Sequence, residues 1–155
     1  MFHRRAALLY VLALCAMKPK NAAGQTQTPR GQIAGSLGKI FPNPFNPSTS
    51  IRFAVDTAGG CFDGSRQHAV TLRVVNALSR PVAHFIVQRD PDSITSVSIS
   101  LSGQRLDNLK LGCGVYVGFW DGNLPNGKEA ASGVYLAQFY IDGKFHGAQR
   151  MLNSK

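Results

Sequence analysis

Apolar residues recur at every second position through much of this chain. Ile51, Phe53 and Val55 alternate with Arg52 and Ala54, and Val70, Leu72 and Val74 alternate with Thr71 and Arg73. Ala83, Phe85 and Val87 form a third apolar face. Val97, Ile99 and Leu101 alternate with Ser96, Ser98 and Ser100, and Val115, Val117 and Phe119 lead into Trp120. Gly133–Asp142 reads as a longer strand with Tyr135, Ala137, Phe139 and Ile141 on one side. Phe145–Leu152 follows after Asp142-Gly143, a turn dipeptide whose glycine accepts positive φ. Period two is the strand signature, and no segment carries a sustained helical stripe. About seven short strands separated by Gly, Pro, Asn and Asp clusters predict an all-β, antiparallel β-sandwich. A small barrel is the alternative.

The first residues follow a different pattern. Arg4 and Arg5 precede Ala6–Met17, an almost unbroken apolar run. That run has signal-peptide length and falls short of the roughly 20 residues a spanning helix needs. Ala22 and Gly24 place small residues at −3 and −1 for cleavage before Gln25. Residues 1–24 are therefore expected to be a cleavable signal peptide, with no transmembrane span left after cleavage. The expected route is export, with the periplasm as transit and the cell surface or exterior as destination. Lipidation at Cys15 is the alternative, but the bulky Leu14 stands where a small residue is needed. Residues 25–39 are polar and without periodicity and read as a flexible leader, so folding is expected to begin near Ile40.

Removing the signal changes the charge. The chain has 17 Lys+Arg against 8 Asp+Glu, a formal +9. Arg4, Arg5, Lys18 and Lys20 leave with the signal, so thirteen basic residues face eight acidic ones, a formal +5. The remaining basic residues are scattered singly, with no cluster that would mark a nucleic-acid partner. What remains suits one domain with one core. Cys61 and Cys113 form an even pair in an exported chain, which reads as a disulfide. Two free buried thiols are the alternative. The wide spacing excludes a local CxxC redox or zinc pattern.

The stretch Phe41-Pro42-Asn43-Pro44-Phe45-Asn46-Pro47-Ser48-Thr49 runs straight into the first clear strand. Pro42, Pro44 and Pro47 fix φ and bias each preceding residue toward extended backbone, so this segment cannot be a helix. It reads as a stiff ribbon in which Phe41 and Phe45 cover an edge or end of the sandwich. Trp120, the only tryptophan, ends an apolar strand and most simply plugs the core. Asp121-Gly122 and Asn126-Gly127 supply turns, and Ser132-Gly133 lets the backbone bend before the long strand.

Together these blocks closely resemble type nine secretion system C-terminal sorting domains (type A), and the related Ig-like domain of flagellar hook-capping proteins. The resemblance rests on Pro42, Asn43, Pro44, Phe45, Asn46 and Pro47 before Ile51-Arg52-Phe53, then on Val70–Asn76 and Trp120-Asp121-Gly122. It closes with Ser132, Gly133 and Tyr135 in Ala131–Leu136 and with the terminal Arg150–Lys155. It covers Phe41 to Lys155. It implies an immunoglobulin-like sandwich over 40–155 that acts as a sorting domain, with the outer-membrane protein secretion machinery as partner. The terminal strand, with Arg150 and Lys155, is then the expected recognition element, since a chain-end strand offers an edge to a partner. The ribbon is expected to be structural and Asn153–Lys155 dispensable to the fold. The chain departs from the family at Leu78-Ser79, where Leu-Gly is usual, and in apparent insertions at Ala58–Gln67 and Arg89–Leu109. Sorting domains also normally follow a large cargo domain, whereas here only residues 25–39 separate signal from module. The other reading is a stand-alone structural or adhesive module like the hook-capping domain.

Catalytic chemistry is not expected. His68, His84 and His146 sit singly in predicted strands without metal-ligand spacing, and His3 belongs to the signal. No Gly-x-Ser-x-Gly elbow, Walker loop or HExxH occurs. Asp121, Asn123 and Asn126 have calcium-ligating types, but Pro125 breaks the EF-hand pattern and turn chemistry accounts for them. No cofactor, metal or small-molecule substrate is expected.

Overall fold

Strand alternation turns one face of each ribbon toward a second sheet, and the computed structural model shows where those faces meet. It describes residues 35–57, 61, 65–89 and 100–155. The expected signal peptide, the leader through Ala34 and most of the Val97–Leu101 strand lie outside the described residues. Leu101, the last residue of that expected strand, lies in a turn and packs partly buried against the core.

Nine strands are described: β1 (Gly35–Phe41), β2 (Thr49–Val55), β3 (Gln67–Asn76), β4 (Pro81–His84), β5 (Ile86–Gln88), β6 (Leu109–Gly112), β7 (Gly114–Trp120), β8 (Gly133–Ile141) and β9 (Lys144–Asn153). One sheet has the order β1-β2-β7-β5, and the other β4-β3-β8-β9 with β6 beside the start of β3. Every pairing between these strands is antiparallel. With β1, β2, β7 and β5 as strands A, B, E and D, and β3, β4, β8 and β9 as C, C′, F and G, this is the immunoglobulin strand order. Tyr135, near the start of β8, donates from its hydroxyl to the Ala131 carbonyl at 2.8 Å. That is the tyrosine corner of such sandwiches. The described residues hold no helix long and apolar enough to cross a membrane.

Four expectations need correction. The strand count exceeds seven because β1 and β6 carry too little alternation to be seen. The leader's last five residues are strand: β1 begins at Gly35, and a bulge between Leu37 and Ile40 hides its period. The third apolar face is two strands, since the chain changes sheets at Phe85, which is fully buried between them. Period two passes through that crossover unbroken. Last, β7 lies in the opposite sense to the expected one. Tyr116, Gly118 and Trp120 face the core, while Val115, Val117 and Phe119 face outward with Arg52 and Ser50 of β2. Gly118 lets this happen, because a Cβ there would press on Leu72, Phe85 and Leu106.

Candidate functional site

Of the five stretches that carry the family resemblance, four, all but Val70–Asn76 in β3, are gathered by the fold at one end of the sandwich around the end of β9. The ribbon after β1 lies along β9. The Asn43 carboxamide donates to the Arg150 carbonyl at 3.0 Å and accepts the Leu152 N–H at 2.9 Å. The Phe45 N–H donates to the Leu152 carbonyl at 2.9 Å, and the Ser154 N–H donates to the Phe45 carbonyl at 3.0 Å. Phe45 and Asn153 thus form an isolated parallel bridge. Pro42, Pro44 and Pro47 carry no N–H, so the ribbon offers few backbone donors to β9, and the Asn43 side chain supplies the second pair of bonds.

Phe45 turns its ring inward and is buried, with Trp120 at 5.4 Å between centroids. Trp120 in turn meets Tyr135 edge-on at 5.6 Å and donates from its indole N–H to the Asn123 carbonyl at 2.9 Å. The three rings form an apolar plug whose polar atoms are satisfied, the arrangement burial of Trp and Tyr demands. Phe41 is the exception to the expected cover: its side chain is 80% exposed. Pro42, Asn43, Pro44, Asn46 and Pro47 are exposed, but the backbone of the first and last is engaged. The Thr49 hydroxyl donates to the Pro42 carbonyl at 2.8 Å, and Gly122 lies so close to Pro47 that a Cβ would fall on its carbonyl oxygen.

The remaining motif residues close the far side. Asp121 accepts both the Asn123 N–H and its carboxamide, each at 2.9 Å, and Asn126 accepts the Lys128 N–H at 3.0 Å. These are side chain-to-backbone turns of the usual Asx kind. Asn153 is buried and donates to the Ala130 carbonyl at 3.0 Å, while the Lys155 N–H donates to the Ser132 hydroxyl at 3.2 Å. Lys155 also pairs with Glu129 at 2.7 Å, and Gly133 holds a φ of 149° at the start of β8. Arg150 projects from β9 as an exposed side chain. The terminal strand is therefore not separable from the ribbon, and Asn153–Lys155 are part of the fold. This placement runs against the expectation that they are dispensable, since alternation alone cannot reveal that Asn153 points inward.

Cys61 and Cys113 are joined by a disulfide with Cα atoms 5.4 Å apart. Cys113 sits between β6 and β7, where the chain changes sheets.

Two histidine clusters went unrecognised in the sequence because their partners are distant along the chain. His68 is buried, with Nδ1 at 2.8 Å from Asp142 and Nε2 at 3.5 Å from Asp56. Its hydrogen bond holds the Asp142 carboxyl below the usual range. The two carboxylates lie on opposite nitrogens of the ring, and among the described residues no three His, Cys, Asp or Glu are placed to hold a metal. On the outer face of the second sheet, His84 lies 3.6 Å from Asp107 in a pocket of about 440 Å³ with Thr71, Arg73 and Tyr140. Burial pushes the His84 imidazole down, against the pull of Asp107. Arg73 donates to Tyr140 at 2.7 Å and to Gln138 at 3.0 Å and lies over the Tyr140 ring. The Thr71 hydroxyl accepts the Asn108 N–H at 3.0 Å. The imidazole–carboxylate pair thus sits among neighbours that are engaged in internal bonds.

No family model, curated protein or solved structure matches the chain.

Proposed function

We propose that this chain is an exported, non-catalytic module recognised through its terminal cap by the type nine secretion machinery, for outer-membrane translocation and surface attachment. The observation that carries this reading is the convergence of the Phe41–Thr49 ribbon, Trp120-Asp121-Gly122 and Ser132–Tyr135 on the last residues of β9. A signal read by a partner must keep one shape, and here the chain end is held by named bonds to the ribbon and to the loop before β8. Arg150 and Lys155 lie at the rim of that rigid cap, where exposed cations govern encounter and register with a partner more than raw affinity.

The test is delivery of a reporter fused ahead of the module, in a host that carries type nine secretion. The fusion should reach the cell surface. A variant with Arg150→Glu and Lys155→Glu should remain folded and accumulate in the periplasm. Surface delivery of that variant at the wild-type level would remove the recognition role, and failure of the wild-type fusion would remove the sorting function.

A further inference from the structure

Strand alternation sets Thr71 and Arg73 of β3 on the side away from the core residues Val70, Leu72 and Val74. The antiparallel register then brings Tyr140 beside Thr71 and His84 beside Arg73. Asp107 reaches this group from the loop before β6, and both of its neighbours in the chain are anchored. Leu106 is buried and its carbonyl accepts the Leu72 N–H at 3.0 Å, while the Asn108 N–H donates to the Thr71 hydroxyl at 3.0 Å. These residues enclose the pocket of about 440 Å³ over the second sheet, within the roughly 300–1,000 Å³ of ligand sites. Its polar groups stand on a sheet and on an anchored loop, so they are preorganised.

One cation and one anion line the pocket, Arg73 and Asp107, and both are engaged. Arg73 donates from Nε to Gln138 and from Nη2 to the Tyr140 hydroxyl, and Asp107 accepts Arg105 through Oδ2 at 2.8 Å. Burial holds the His84 imidazole below its ordinary pKa, so at neutral pH the ring is uncharged, with one donor and one acceptor nitrogen. The lining thus has no net charge and selects neither an anion nor a cation. Hydrogen-bonding capacity remains. Asp107 Oδ1 and His84 Nε2 are 3.6 Å apart, too far for a direct hydrogen bond and close enough for one oxygen to reach both. The Thr71 hydroxyl accepts from Asn108 and keeps its own hydrogen for a further acceptor. A hydroxyl both donates and accepts, so a ligand with adjacent hydroxyls satisfies this set without bringing charge. Tyr140 and Pro81 supply apolar surface for the C–H face of such a ligand. We propose that the pocket binds a neutral pyranose unit, its adjacent hydroxyls bonded to Asp107 Oδ1, His84 Nε2 and the Thr71 hydroxyl. No residue of the terminal cap lines the pocket, so this inference does not rest on the sorting role.

Binding is measured by NMR on the isotope-labelled full chain at neutral pH, through its backbone amide shifts. The probes are methyl α-D-glucopyranoside and methyl α-D-mannopyranoside, with cyclohexanol, glycine and inorganic phosphate beside them. At least one glycoside should shift the amides of Thr71, Arg73, His84 and Asp107 saturably, with a dissociation constant of about 1 mM, ordinary for a ligand of that size. Cyclohexanol keeps a six-membered ring with a single hydroxyl and should bind at least about tenfold more weakly. Asp107→Ala and His84→Ala should each weaken glycoside binding about tenfold. Thermal unfolding checks that the variants are folded; if one is not, the wild-type shifts and the cyclohexanol comparison decide alone. Maltose and mannobiose carry the same units in a chain. Binding at least as tight as the matching glycoside assigns the site to a glycan, and weaker binding to a free monosaccharide, the pyranose standing in both. Absence of a saturable shift from either glycoside would overturn the proposal, as would shifts centred outside the pocket or folded variants that bind as wild type. Equal binding of cyclohexanol would reduce the site to an apolar hollow, and equal binding of glycine or phosphate would make it an ionic one; each overturns it. Binding is read without any secreted cargo, so this inference and the sorting reading fail separately.

Discussion

Phe45 and Asn153 form a parallel bridge across 108 residues of chain, joining the ribbon that leads into β2 to the end of β9. The two side chains lie side by side across the bridge, and both are buried. Phe45 reaches Trp120, and Asn153 reaches the Ala130 and Ala131 carbonyls. Opening and closing strands thereby seal each other, and neither end of the module is complete alone.

Loss of either partner should therefore unseal the same end. Replacing Phe45 by Ala should destabilise the fold by about 3–4 kcal/mol, the usual cost of emptying a buried phenylalanine site. Asn153→Ala should cost about 1–3 kcal/mol by stranding buried carbonyls. Deleting Asn153–Lys155 should cost at least as much as Asn153→Ala. Urea unfolding of the three variants checks the ranking, and a truncated chain as stable as wild type would refute the sealing role.

Gly122 should tolerate no side chain. Its φ of 80° is strained for any L-residue, and a Cβ would collide with the Pro47 backbone, which the neighbouring prolines stiffen. Gly122→Ala should lose about 2 kcal/mol or more, whereas Gly127→Ala, also at positive φ but with open space around it, should lose about 1 kcal/mol. Equal losses at the two sites would show that the contact with Pro47 contributes nothing.

The legibility of this fold in its sequence followed the physics of alternation. Ile51, Phe53 and Val55 face the core as their period says, and so do Val70, Leu72 and Val74. In β7 both series are apolar, so period two could not choose between Val115, Val117, Phe119 and Tyr116, Gly118, Trp120. The deciding residue is Gly118, whose smallness matters only once Leu72 and Phe85 are opposite it. Asn43 reads in the sequence only as part of the stiff ribbon, and its service as a surrogate strand for β9 depends on a neighbour more than 100 residues away. The clusters around His68 and His84 were hidden for the same reason. Asp142 was read as a turn residue and is one, yet its carboxylate also anchors His68.

The Cys61–Cys113 bond closes a loop of 52 residues and ties the β2–β3 connection to the corner between β6 and β7. Constraining an unfolded loop of that length contributes about 4 kcal/mol in the chain-entropy account. The Cys61→Ala, Cys113→Ala double variant should unfold at correspondingly lower denaturant, and reductant should move the wild type to the same midpoint. A wild type indifferent to reductant would show that the bond does not support the folded state.

Acidification should destabilise the module in two stages, each with its own groups. Burial holds the folded-state pKa of His84 below the ordinary imidazole value of 6.5, with Arg105 and Arg73 reinforcing and Asp107 opposing. Burial does the same for His146, helped by Lys144 and opposed by Asp142. Protons therefore bind the unfolded chain more readily, and the stability these neutral rings permit is present above the ordinary imidazole pKa and lost as pH falls below it. Asp142 behaves in the usual carboxylate sense. Its pKa is lowered first by the His68 hydrogen bond, so its contribution persists above the ordinary carboxylate value and disappears as pH falls through the folded one. Thermal unfolding of the wild type should thus soften between about pH 7 and pH 5, then again below about pH 4. His84→Gln with His146→Gln should flatten the first stage and leave the second, whereas Asp142→Asn should remove the second and, by ending its opposition to the His146 shift, somewhat deepen the first. If the double histidine variant loses stability between about pH 7 and pH 5 as steeply as the wild type, burial of these two rings is not the source of the acid sensitivity.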